Sequence, residues 1–224
     1  IEKCGRPIVL SLSPGPAMVE QAEHLRKYAN LWRITNDFWD CWENIMEMFD
    51  RCNNWAPYVS EGCFPDCDML PIGHISIRGC EHGLSDRWTR LSKAEQRTML
   101  TLWNIFRSPL MIGCELTDMD EWTKSLLTNE EVLALLKKSR NAHQAIRQGD
   151  MIVWQADDED GNVYLAVFNT TNWNENFAVD FRALDLSGSY KLRDLWEKKD
   201  LGEIEGKLVV EVESHGAKLY RLSK

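Results

Sequence analysis

The 224-residue chain has no long apolar run. None approaches the roughly 20 residues that cross a bilayer as a helix, so no membrane span is expected. It has no basic excess either: 26 Lys and Arg against 35 Asp and Glu leave a net charge of −9. A nucleic-acid partner needs a basic footprint and is excluded. There is no glycine-rich phosphate cradle and no GxSxG elbow. Ser11 and Ser13 have no histidine at recognisable spacing, which disfavours a serine nucleophile. The opening IEKCGRPIVLSLS lacks an initiator methionine and the n-region, h-region and cleavage pattern of a signal peptide. It reads as the interior of a folded unit, so the chain is expected to be a fragment. Seven cysteines, at positions 4, 41, 52, 63, 67, 80 and 114, are odd in number and scattered, which is not a disulfide framework. Cys63-Phe-Pro-Asp-Cys67 is the closest pair, and no second pair or histidines stand at zinc spacing. Free buried thiols with room for one bridge are expected, and neither metal nor cofactor.

What is present is 44% hydrophobic residues, enough for a sizeable core, in an alternating order. Ile8–Ser13 (IVLSLS) suits a buried strand stopped by Pro14-Gly15-Pro16. Residues 18–29 carry apolar side chains at helical spacing. Leu31–Thr35 reads as a strand and Trp39–Phe49 as an amphipathic helix. Asp68–Gly73 is a third strand. Ser92–Phe106 is a helix opened by the capping box Ser92-Lys-Ala-Glu95. Pro109–Leu116 gives a fourth strand and Asn129–Lys138 another helix. Successive strand–helix units imply parallel strands with right-handed crossovers. The alternation alone fits an open doubly wound sheet or part of a barrel.

Near residues 140–150 the style changes. Met151–Trp154, Val163–Asn169, Phe177–Phe181, Tyr190–Leu195, Lys207–Val212 and Ala217–Leu222 are short β-rich runs. Asp160-Gly161, Ser187-Gly188 and His215-Gly216 punctuate them. This predicts an antiparallel β-sandwich over 141–224, following an α/β unit over 1–140.

In a parallel α/β layout the strand ends and following loops form the functional face. LWRITNDFWDCW, residues 31–42, sets three tryptophans beside Arg33, Asp37 and Asp40. Asp66 and Asp68 lie in PDCDML. A carboxyl group near a strand end can act as general acid/base, with an arginine holding hydroxyls. Flat indole faces stack on the C–H faces of sugars. A carbohydrate site follows from the three together. The plainer readings stand beside it. Asp37 suits the N-cap of a helix starting near Trp39, Asp40 a favourable charge in its first turn. Trp39 and Trp42 suit the core, and Asp66 with Asp68 an Asx-turn. His74 and His82 read as loop residues without a role, and Asn169-Thr170-Thr171 matches a glycosylation sequon.

WRITNDFWDCW, PDCDMLPIGH, SKAEQRTMLTLWNIFRSPLMIGCEL and TNEEVLALLKK, in that order, resemble the clan D α-galactosidases of glycoside hydrolase family twenty-seven. The resemblance implies the second half of a (β/α)8 TIM barrel, strands five to eight, followed by an antiparallel β-sandwich. It implies a retaining hydrolase of terminal α-D-galactosyl residues. Asp37 would be the general acid/base, with Arg33, Asp68 and Ser13 binding the sugar. The family nucleophile, an aspartate in a Lys-x-Asp motif ending strand four, has no counterpart here. The chain alone is therefore expected to be inactive, with a galactoside as substrate and the missing N-terminal barrel half as partner. The full-length protein is expected to be secreted or periplasmic. The family's tryptophan-bearing loop is replaced by SLSPGPA, which leaves an α-N-acetylgalactosaminide or β-L-arabinopyranoside as alternative substrates. A non-catalytic carbohydrate-binding module is the alternative outside catalysis.

Overall fold

A computed structural model describes residues 1–79 and 85–224; Cys80 and His82 lie outside the described residues. The first part alternates strands and helices: β1 (Ser11–Leu12), α1 (Ala22–Tyr28), β2 (Leu31–Arg33), α2 (Trp42–Trp55) and β3 (Phe64–Asp66). β4 (Met69–Leu70), a hairpin of β5 (His74–Ile75) and β6 (Arg87–Trp88), α3 (Lys93–Phe106) and β7 (Met111–Ile112) follow. β1, β2 and β3 are adjacent and parallel, with Ser11 opposite Leu31 and Arg33 opposite Asp66. β4 pairs in parallel with β7. This is half of a (β/α)8 barrel, with β1 and β7 at its two open edges. Val9, Met111 and Ile112 are exposed along those edges, and an unpaired apolar edge is a liability unless something covers it.

The strands are shorter than the apolar runs suggest. Only Ser11–Leu12 of Ile8–Ser13 and Met111–Ile112 of Pro109–Leu116 pair. Of the expected strand Asp68–Gly73 only β4 pairs; β3 lies before that span, outside the expected strand, and the two are separated at Cys67–Asp68. Asp68 has φ 77°, a left-handed conformation that costs a non-glycine residue about 1–2 kcal/mol. Bonds described below hold it there. The kink lets one strand pair with β2 before it and β7 after it.

α3 opens as its sequence predicts: Glu95 N–H donates to Ser92 Oγ and Ser92 N–H to the Glu95 carboxylate. From Thr98 to Phe106 every side chain of α3 is buried. A helix buried all round lies between two layers, and here the second layer is the sandwich. α4 (Glu121–Leu127), α5 (Glu130–Leu133) and α6 (Leu135–Lys138) lead into it; the helix expected over Asn129–Lys138 is the short pair α5 and α6.

Eight antiparallel strands then follow: β8 (Ser139–Gln148), β9 (Met151–Asp158), β10 (Val163–Asn169), β11 (Glu175–Asp180), β12 (Ser189–Asp194), β13 (Lys199–Glu205), β14 (Lys207–Val212) and β15 (Ala217–Ser223). β13-β12-β15-β10-β9-β8 form one sheet, and β11-β14 pair opposite it. β8 starts at Ser139, so the compositional change at 140 falls inside its first turn of pairing. Alternation assigns the two faces. Val163, Leu165 and Val167 enter the sandwich core. Tyr164, Ala166 and Phe168 join the core shared with α2 and α3, where Phe168 meets Phe49 edge-on at 5.0 Å. Burial on both faces explains why β10 reads VYLAVF without a polar residue. Asn169 is fully buried, and its amide donates to the carbonyls of Trp173, Val212 and Glu213. In the folded protein that sequon is closed to glycosylation.

Candidate active site

Arg33 ends β2 on the carboxyl rim of the parallel strands, directly beside Asp66 at the end of β3. Its guanidinium reaches two carboxylates: Asp68 Oδ2 at 2.9 Å and Asp37 Oδ1 at 3.3 Å. Asp68 is committed. The same Oδ2 accepts from Phe38 N–H at 2.7 Å, and Asp68 N–H donates to Asp66 Oδ1 at 2.8 Å, the expected Asx-turn. This network pins the kinked backbone and fixes the start of the loop that carries Asp37. Burial pushes the Asp66 carboxyl above its ordinary range; the Asp68 amide opposes this, and the Asp68 charge adds to it.

Asp37 is different. Its side chain is 84% exposed, against 16% for Asp68 and 11% for Arg33. It does not cap the following helix: α2 starts at Trp42, with Cys41 at the N-cap and no side-chain cap bond. The N-cap reading of Asp37 is therefore wrong, because residues 38–41 are loop rather than the first helical turn. Ser13 is exposed on the loop after β1. That loop returns to β2 where Ala17 N–H donates to the Arg33 carbonyl at 2.8 Å. So β1, β2 and the kink after β3 bring Ser13, Arg33, Asp37 and Asp68 to one rim.

Asp40 is not a dipole charge in a helical turn. It precedes α2, is buried, and accepts from Arg87 Nε at 3.2 Å, from Arg87 Nη2, and from Arg90 N–H at 2.9 Å. Burial pushes its carboxyl up, but the Arg87 and Arg90 bonds outweigh this and hold it below the usual range. Arg87 also donates to Ser76 Oγ at 3.1 Å and lies over Trp39 at 5.7 Å. The pair straps the Asp37 loop to the β5–β6 hairpin. The tryptophans pack. Trp32 is buried against Trp55, and Trp42 stacks at 3.9 Å on His215 from the sandwich.

His74 was expected to be a loop residue without a role. It is instead bound on both ring nitrogens, to Asp118 through Nδ1 and to Asp86 through Nε2, and stacks on Trp88. Both contacts require ring protons, and the Asp86 and Asp118 hydrogen bonds raise its pKa. The imidazolium therefore ties the hairpin to the loop after β7. A raised folded pKa gives stability that is complete below the unfolded value of about 6.5 and lost as pH rises through the folded value. Amide exchange at His74, Ile75, Arg87 and Trp88 is expected to speed up across that window beyond the chemical rate. His74→Gln removes the extra acceleration.

Among the described residues no group of three His, Cys, Asp or Glu side chains could hold a metal, and no helix is long and apolar enough to cross a membrane. The Arg87 strap and the His74 clamp were missed in the sequence. Their partners lie 47, 12 and 44 positions away, and only the density of charge in the segment 85–90 hinted at them.

The site is thus an arginine–carboxylate cluster at the carboxyl ends of parallel barrel strands, backed by an antiparallel sandwich. The chain belongs to the α-galactosidase family. The family model described as "Alpha galactosidase A" matches residues 1–138, and "Alpha galactosidase C-terminal beta sandwich domain" matches 148–222. Among solved structures, a β-L-arabinopyranosidase of glycoside hydrolase family 27 from Geobacillus stearothermophilus is 49% identical with TM-score 0.96, covering 100% of this chain and 51% of that one. Alpha-galactosidase 2 of Arabidopsis thaliana is 29% identical over 87% of this chain and 47% of its own length. The α-galactosidase of Oryza sativa is 27% identical over 88% and 45%. The chain spans about half the length of the curated relatives it matches.

Proposed function

We propose that the intact protein is a retaining glycoside hydrolase, with Asp37 as general acid/base and Arg33, Asp68 and Ser13 binding the terminal sugar. In this reading residues 1–140 form the second half of the catalytic barrel and 141–224 its sandwich. The nucleophilic carboxylate comes from the other barrel half, which covers the open edges of β1 and β7. The chain by itself binds sugar weakly and does not turn it over.

One observation carries the assignment. Of the two carboxylates on Arg33, Asp68 is held by the guanidinium and the Phe38 amide, while Asp37 stands open with, among the described residues, a single contact at 3.3 Å. A residue that donates and then removes a proton must reach the leaving oxygen and the attacking water. Asp37 has that freedom; Asp68 organises the loop that presents it.

The sugar in this reading is β-L-arabinopyranose first and α-D-galactose second. The two rings share their configuration, and the arabinose lacks only the hydroxymethyl group on C5. The 49%-identical arabinopyranosidase supports the first, and the 29%-identical α-galactosidase the second. A pocket shaped to one discriminates against the other by roughly 10- to 200-fold, the range for a small group in or out of a pocket. Nitrophenyl β-L-arabinopyranoside, α-D-galactopyranoside and α-N-acetylgalactosaminide, tested on the intact protein, are expected to rank in that order by kcat/KM. Preference for the acetamido sugar, or no hydrolysis of all three, would overturn the assignment.

A further inference from the structure

Two thiols behind the site serve no part of the chemistry above. Cys52 lies on the inward face of α2 with Ile45, Met48 and Phe49, and Cys67 sits between Asp66 and Asp68 at the kink after β3. Both are fully buried, both are free, and their sulfurs are 3.6 Å apart. A disulfide needs about 2.05 Å between sulfurs, so closing the pair requires a movement of about 1.5 Å, within reach of small rotations at the two side chains. Cys67 is anchored on the backbone side, where its N–H donates to Ser108 Oγ at 3.0 Å. Any backbone adjustment therefore falls to α2, while both side chains rotate.

We infer that Cys52 and Cys67 are a cross-linking site, joined by exchange with a low-molecular-weight disulfide into a bridge that ties α2 to the strand end carrying Asp66 and Asp68. The exchange balances. One thiolate attacks the small disulfide and releases one small thiolate. The second protein thiolate attacks the resulting mixed disulfide and releases the other. Two protein thiols lose two protons and two electrons, and one small disulfide becomes two small thiols. Burial pushes the Cys52 thiol well up, as does the adjoining Cys67. The thiolate is accordingly scarce in the closed fold, and the bridge forms while the chain folds or when α2 opens transiently. Once formed it is sealed from reductants by the same burial. The enclosed loop runs from 52 to 67 and contains α2's last turn and all of β3, including the strand partner of Arg33.

The test is a peptide map. The protein is held in sub-denaturing urea with oxidised glutathione, alkylated, and digested without reductant. A cross-linked Cys52–Cys67 peptide is expected, with Tm raised by roughly 5–10 °C over the reduced protein, the scale for closing a loop of this size. Exposed Cys4 reports that the oxidant worked, and Cys4→Ser should leave both results intact. Cys52→Ser should abolish both. The inference is overturned if Cys4 carries glutathione while Cys52 and Cys67 remain alkylatable thiols. It is equally overturned if the bridge forms and lowers Tm, or if Cys67 pairs with another cysteine instead.

Discussion

Asp37→Asn in the intact protein lowers kcat/KM by about a hundredfold to ten-thousandfold, the range for losing a positioned general acid/base, while Tm hardly moves. The separation follows from exposure. Asp37 is 84% exposed and its contact with Arg33 is 3.3 Å long, and an exposed ion pair of that kind is worth about 0–1 kcal/mol. The loop that carries it is held by other bonds, from Phe38 N–H to Asp68 and from Arg90 N–H to Asp40. The loss should be graded by leaving group. Aryl glycosides with acidic phenols need little protonation and lose least in the glycosylation step; sugar or alkyl aglycones lose most. Equal turnover by the variant and the parent on both kinds of substrate would remove Asp37 from the mechanism.

Asp40→Ala, three residues further on, does the opposite. It strands the Arg87 guanidinium, whose side chain is only 14% exposed, without the carboxylate at its centre. Breaking a buried pair from one side costs about 3–5 kcal/mol, which for a chain of this length is a fall in Tm of roughly 10–15 °C. The Arg90 amide loses its acceptor as well. Because the folded Asp40 carboxyl is held below its ordinary value, its contribution is present above the unfolded pKa of about 3.9 and disappears as pH falls through the folded one. The parent should therefore lose stability on acidification in a step that Asp40→Ala lacks. The double variant Asp40→Leu/Arg87→Met should recover part of the loss, since no charge is left buried. A thermal melt of the single variant within 2 °C of the parent, roughly the scale of a change under 1 kcal/mol, would contradict the strap.

The sequence spoke most clearly where the signal was local. The capping box at Ser92 and Glu95 placed the start of α3 to the residue. The apolar VYLAVF of β10 and the Gly-punctuated runs around it announced the sandwich, because alternation and turns are written in neighbouring residues. The motif around Arg33 and Asp37 indicated the rim of the strands. What was illegible depended on distant partners. The apolar spacing starts α2 three residues early because Trp39 continues the face of Trp42, Ile45, Met46 and Phe49, yet Trp39 and Asp40 are drawn into the Arg87 strap. β8 and β13 were missed because they are polar edge strands, with SRNAHQAIRQ and KDLGEIE showing little alternation. The split of the third strand turns on one positive φ at Asp68, which no propensity announces for an aspartate held by its neighbours' hydrogen bonds.

In the proposed retaining mechanism Asp37 faces a second carboxylate across a sugar-sized gap in the complete barrel. A crystal structure of the intact protein with a bound monosaccharide measures it directly. The Asp37 carboxylate is expected about 5–5.5 Å from a carboxylate of the other barrel half, the spacing of a retaining hydrolase, with Arg33 and Asp68 on the sugar's hydroxyl side. A sugar bound away from this rim, or a carboxylate separation beyond about 6.5 Å, would contradict it.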